Sequence, residues 1–70
     1  MKHEIQRIVR QIPLANFGNV KVQWEDKSET SVVMRAQSPA DAVRLIAGLR
    51  ERGYFAHGYT YDANKVGVIL

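Results

Sequence analysis

The stretch SPADAVRLIAGLRERG, residues 38–53, constrains the fold more than any other part of the chain. Ser38 is a strong helix N-cap, and Pro39 is pre-set for the first helical position. Asp41 stands three residues past the cap, where a carboxylate complements the positive end of the helix. Ala42, Val43, Leu45, Ile46 and Leu49 form an apolar face meant for burial. Arg50 and Arg52 fall in the last turn, where cations are favoured, and Gly53 supplies the stop. The punctuation predicts a helix of about four turns.

The remaining periodicities place five more elements around it. Ile5, Ile8, Val9 and Ile12 recur at i, i+3, i+4 and i+7, one stripe of a helix that Pro13 should end near Ile12. LANFGN then reads as a turn. In VKVQWED, Val20, Val22 and Trp24 oppose Lys21, Gln23 and Glu25. In TSVVMRAQ, Val32, Met34 and Ala36 oppose Val33 and Arg35. EDKSE between these two runs is a hairpin tip. YFAHGYTY reads as a third strand, DANK as a turn and VGVIL as a last strand.

The order is therefore α-β-β-α-β-β, with helix followed by hairpin in each half. Two amphipathic helices and a four-stranded antiparallel sheet make a two-layer α+β sandwich, with both helices on one face and the other face open. The element order is a circular permutation of the βαββαβ order of ferredoxin-like domains, an analogy of connectivity that carries no function. The segment from Val33 to Leu70 also resembles the strand-helix-strand-strand half of SPOR peptidoglycan-binding domains. There, too, a GY-x-A turn, here Gly53 to Ala56, follows a helix with Ala and Leu on its inner face. The first half departs from that pattern, and neither residues nor substrate carry over. The order of strands within the sheet stays open.

At 70 residues the chain is one domain, and Met1 to Leu70 reads as a free-standing polypeptide. A chain this short buries only about 60% of its unfolded surface. It has no cysteine, so disulfides and thiolate metal sites are excluded, and apolar packing or a second copy must supply the stability. That composition fits a cytoplasmic location. The N-terminus has no continuous apolar run of the signal-peptide kind, and no segment approaches the roughly 20 apolar residues of a membrane span. Net charge is +3, from ten Lys and Arg against seven Asp and Glu. The charge permits an acidic partner without demanding one.

The stretch from Gly53 to Asp62 holds four of the six aromatic residues. Strand alternation puts Tyr54, Ala56, Gly58 and Thr60 on one face, and Phe55, His57, Tyr59 and Tyr61 on the other. Large rings gain most from burial, which argues for rings inward. A helix packed closely on a sheet needs small residues beneath it, which argues for Ala56 and Gly58 inward. We expect the latter. The open face then carries Phe55, His57, Tyr59 and Tyr61 with Lys21, Gln23, Glu25, Val33, Arg35, Lys65, Gly67 and Ile69. That surface is too apolar to stay bare.

No catalytic signature accompanies these residues. His3 and His57 are far apart and match no metal-ligand spacing. Ser28, Ser31 and Ser38 sit in a turn, a strand and a cap, without nucleophile context. Asp26, Glu29 and Asp62 read as solvated turn tips, and the glycines match no phosphate loop. Arg7, Arg10, Arg44, Arg50 and Arg52 read as a solvated helix face. The expectation is a non-enzymatic docking module without cofactor, metal or small-molecule substrate. It would bind another protein, or a second copy of itself, through Phe55, His57, Tyr59, Tyr61, Arg35, Lys21 and Lys65. Tiny basic proteins of this kind are common in phages and mobile elements, where some inhibit host defence complexes. The first alternative is a single-stranded nucleic-acid binder, with bases stacked on Phe55, Tyr59 or Tyr61 and phosphates on Lys21, Arg35 and Lys65. The second is a small dimeric ligand carrier or enzyme built around His57.

Overall fold

The computed structural model describes residues 2–13, 21–27 and 30–70, the side chains of residues 2, 3, 26 and 27 excepted. The turn expected at LANFGN, Val20, Ser28, Glu29 and the side chain of His3 lie outside the described residues. The order is α1 (Lys2–Arg10), β1 (Val22–Lys27), β2 (Ser31–Ala36), α2 (Pro39–Glu51), β3 (Phe55–Tyr59) and β4 (Asp62–Ile69). The strands form one sheet in the order β1-β2-β4-β3, and every neighbouring pair is antiparallel. β2 and β3 consequently run parallel on either side of β4, and α2 is the crossover that joins them. A ferredoxin-like chain with its first strand transferred to its C-terminal end has this connectivity.

The caps of α2 do what their sequence implies. Ser38 Oγ accepts a hydrogen bond from the Asp41 amide at 3.2 Å. At the other end the Gly53 amide donates to Arg50 O and the Tyr54 amide to Leu49 O, both at 3.0 Å. These two bonds are a Schellman closure, which needs a left-handed residue one place past the cap. Gly53 provides it with φ of +88°. Tyr54, the residue after it, packs half-buried against the core.

α1 ends two residues before Ile12. The Gln11 and Ile12 amides reach back only three residues, to Ile8 O at 2.9 Å and Val9 O at 3.2 Å. This tighter last turn still carries Ile12 to the buried side with Ile5 and Val9. Ile12 then presses on α2 at Gly48, where a Cβ would stand 3.0 Å from Ile12 Cδ1. A glycine there lets the two helices meet.

The core lies between helices and sheet. Ile5, Val9 and Ile12 come from α1, and Ala42, Leu45 and Leu49 from α2. Val32, Met34 and Ala36 of β2, Ala56 of β3, and Val66 and Val68 of β4 complete it. Val22 and Trp24 of β1 pack half-buried at its margin. Among the described residues no polar or charged side chain is buried.

EDKSE is not all hairpin tip, because Glu25, Asp26 and Lys27 belong to β1. Two further expectations need correction. Val43 does not belong to the buried face of α2; it is 66% exposed. It stands about 100° round the helix from Ala42, beside Ile46, whose Cδ1 overlies Gly58 of β3. β3 is the last strand on that side, and among the described residues no strand lies beyond it to cover Val43. The second correction concerns DANK, which is not the chain reversal. The reversal is at Thr60–Tyr61, with Tyr59 paired to Asp62, and DANK opens β4. Its turn chemistry is used for a kink instead. Asp62 Oδ1 accepts from the Asn64 amide at 3.1 Å, and Asn64 Nδ2 donates to Ala36 O at 3.3 Å. Pairing with β3 accordingly jumps from Gly58–Val66 to Tyr59–Asp62.

Candidate functional site

The face of the sheet away from the helices carries the rings of β3. Ala56 is 1% exposed beneath α2, whereas Phe55 is 71% exposed and Tyr61 75% exposed. His57 and Tyr59 are half-buried on the same outer side. They lean toward the middle of the sheet because Gly67, opposite His57 on β4, has no side chain. A Cβ at Gly67 would meet His57 Nε2 and Tyr59 Oη, each at 2.7 Å. The glycine is a notch into which both side chains settle. A glycine amid the valines of β4 is the signal that could have marked this close approach.

From the notch an aromatic row runs to the hairpin tip. The rings of His57 and Tyr59 lie 5.2 Å apart, and those of Tyr59 and Tyr61 meet edge to face at 5.6 Å. The kink in β4 aims Lys65 over this row. Its Nζ is 4.8 Å from the Tyr59 ring centre and 5.4 Å from that of Tyr61. It also donates to Tyr61 Oη at 3.4 Å. That hydroxyl is the main reason the ammonium is held above its ordinary pKa.

Arg35 sits beside Lys65 on β2 and is committed to two carboxylates. Its guanidinium grips Asp62 in a fork, Nη1 to Oδ1 at 3.2 Å and Nη2 to Oδ2 at 2.5 Å. Its Nε meets Glu25 Oε1 at 3.0 Å. The fork raises the guanidinium pKa and holds the Asp62 carboxyl below its ordinary value. The sequence placed Asp62 in a solvated turn and gave no sign of this pairing, which spans 27 positions. At the other end of β3, Phe55 pairs across the sheet with Ile69, itself 51% exposed.

The expected site residues are therefore not all together. His57, Tyr59, Tyr61 and Lys65 form one cluster, with Arg35 adjoining it. Phe55 joins Ile69 at the far end of the face. Lys21 is exposed beside β1, where it lines a groove with Arg35, but the rings of β3 stand about three strand spacings or ~14 Å away. Arg50 of α2 and Arg52 at its C-cap have structural partners: Arg50 Nε donates to Ala56 O and Arg52 Nη1 to Gly48 O, both at 2.8 Å.

Among the described residues no group of three His, Cys, Asp or Glu could hold a metal ion. No described helix is long and apolar enough to cross a membrane. No family model matches the chain, and no curated protein or solved structure does either.

Proposed function

We propose that this chain is a non-catalytic docking module that binds another protein through the open face of its sheet, as an adaptor or inhibitor of a larger assembly. One observation carries the proposal. Phe55, Tyr61 and Ile69 are mostly exposed on a single sheet face that no described helix covers. Rigid aromatic side chains ringed by polar groups are what protein interfaces use as anchors. A nucleic-acid role has support in the cluster of Tyr59, Tyr61 and Lys65, which offers rings for stacking beside a cation. The state of the cations favours protein. Phosphate binding needs free positive charge, yet Arg35 is neutralised by Glu25 and Asp62, and Lys65 lies over tyrosine rings.

The test is capture from cells of the source by the immobilised chain, parent against a Phe55→Ala/Tyr61→Ala variant. The proposal expects a protein retained by the parent, lost by the variant, and indifferent to nuclease. Capture unchanged in the variant would overturn it. So would a bound nucleic acid whose affinity falls steeply with salt.

A further inference from the structure

Among the described residues no strand pairs with the outer rim of β3. Which groups it presents follows from Arg50. Its Nε donates to Ala56 O at 2.8 Å, and the Ala56 amide turns back to Tyr54 O at 3.2 Å. The main-chain groups of Ala56 therefore point away from β4. By the two-residue period of a strand, those of Gly58 do too, while Phe55, His57 and Tyr59 bond to β4.

We propose that this rim pairs antiparallel with the same rim of a second copy, about a two-fold axis at His57, joining two four-stranded sheets into one. The strand F-A-H-G-Y is self-complementary about its centre: large, small, large, small, large. An isologous contact needs that property, because each residue meets its symmetry counterpart. Ala56 faces Gly58 of the other copy, and its amide exchanges the 3.2 Å bond to Tyr54 O for the Gly58 carbonyl of that copy. Ala56 O keeps Arg50 on one lone pair and takes the new amide on the other. Phe55 faces Tyr59 of the other copy on the open side, the kind of aromatic cross-strand pair that stabilises sheets.

A second observation concerns the layer above. The flank of α2 over this rim exposes apolar side chains beside Arg50: Val43 is 66% exposed, and Ile46 reaches down to Gly58. Ala56 and Gly58 are small enough to let two such flanks approach above the joined strands. Below them a groove of about 370 Å³, lined by Arg50, Gly53, Tyr54, Phe55 and Ala56, runs along the same rim. The segment Phe55–Tyr59 carries no Asp, Glu, Lys, Arg or Pro. Among the described residues the cation bonded to the rim is Arg50, whose guanidinium is held on Ala56 O. The other edge differs. β1 carries Glu25, Asp26 and Lys27 in sequence and has a register shift between Trp24 and Asp26, both devices that block strand pairing.

This pairing does not rest on what the open face binds. It is tested by cross-linking, which a chain without cysteine makes clean. At a two-fold through His57, the paired Cα atoms stand about 4.5 Å apart, inside the roughly 4.4–6.8 Å range a disulfide spans. Under mild oxidation His57→Cys is expected to form a linked dimer at least about tenfold faster than Ile69→Cys or Gln23→Cys. The parent is expected to sediment at twice the monomer mass. An equal mixture of Phe55→Cys and Tyr59→Cys chains, which tests the register without touching His57, is expected to favour the mixed dimer over either self-linked one. Linking of Ile69→Cys as fast as His57→Cys would mean that the copies meet face to face and would overturn the pairing. A monomeric parent with no preferred cross-link would overturn it too. A monomer that still captures a protein through Phe55 and Tyr61 would remove the pairing and leave the docking face standing.

Discussion

The two faces of this sheet are built from the same strands, one residue out of phase, yet they have opposite characters. Toward the helices β2 presents Val32, Met34 and Ala36, and β4 presents Val66 and Val68, all buried. Toward the outside the same strands present Val33, Arg35, Lys65, Gly67 and Ile69. On β3 the usual rule of size is inverted. Its small residues, Ala56 and Gly58, lie under α2, and its large rings face out. Hydrophobicity alone would bury the rings. The small residues instead go with a close approach of the helix: a Cβ at Gly58 would stand in van der Waals contact, 3.4 Å, with Ile46 Cδ1 of α2. The inner face follows fit to the helices, and the outer face carries the exposed rings.

Substitutions on the inner face should be the most damaging. Leu45→Ala removes a side chain that is fully buried, at a cost of about 2–5 kcal/mol. A domain of this size has only several kcal/mol in total, so urea denaturation should show a large fraction of unfolded chain in buffer. Next comes the joint between helix and aromatic strand. Gly53→Ala forces a side chain to φ of +88° and should cost about 1–2 kcal/mol by the same measurement. On the outer face Gly67→Ala should cost under about 1 kcal/mol, because the groups it meets are the ends of His57 and Tyr59. The ring resonances of Tyr59 should nevertheless shift as it leaves the notch.

Charge on the outer face gives a smaller, pH-dependent effect. Arg35, and after it the Asn64 amide, hold the Asp62 carboxyl below its ordinary value of 3.8. A depressed carboxyl contributes stability at higher pH and loses it as pH falls through the folded-state value. The parent should therefore lose stability on acidification below about pH 4 more steeply than Asp62→Asn. Equal slopes would show that the fork with Arg35 contributes nothing to the fold.

Much of this architecture is legible in the sequence, because the signals are local. Ser38 and Gly53 bracket α2, and alternation through Val32, Met34 and Ala36 names the buried side of β2. What is not legible depends on partners distant in the chain. Asp62 and Asn64 look more like a reversal than Thr60 and Tyr61 do. Only contact with Arg35 and Ala36 makes them a kink within β4. Val43 carries a buried residue's chemistry, and its exposure follows from β3 being an edge, a fact of strand order. The row from His57 to Tyr61 could be assigned to a face, but the notch at Gly67 that gathers it arises only when β4 lies beside β3. Lys21 shared the expected face and proved to lie on the opposite edge.

The account depends on the aromatic side chains of β3 and its turn contributing to recognition and not to the core. Urea denaturation of the Phe55→Ala/Tyr61→Ala variant tests this most directly. The account predicts a cooperative transition within about 1 kcal/mol of the parent. A loss comparable with that of Leu45→Ala would contradict it.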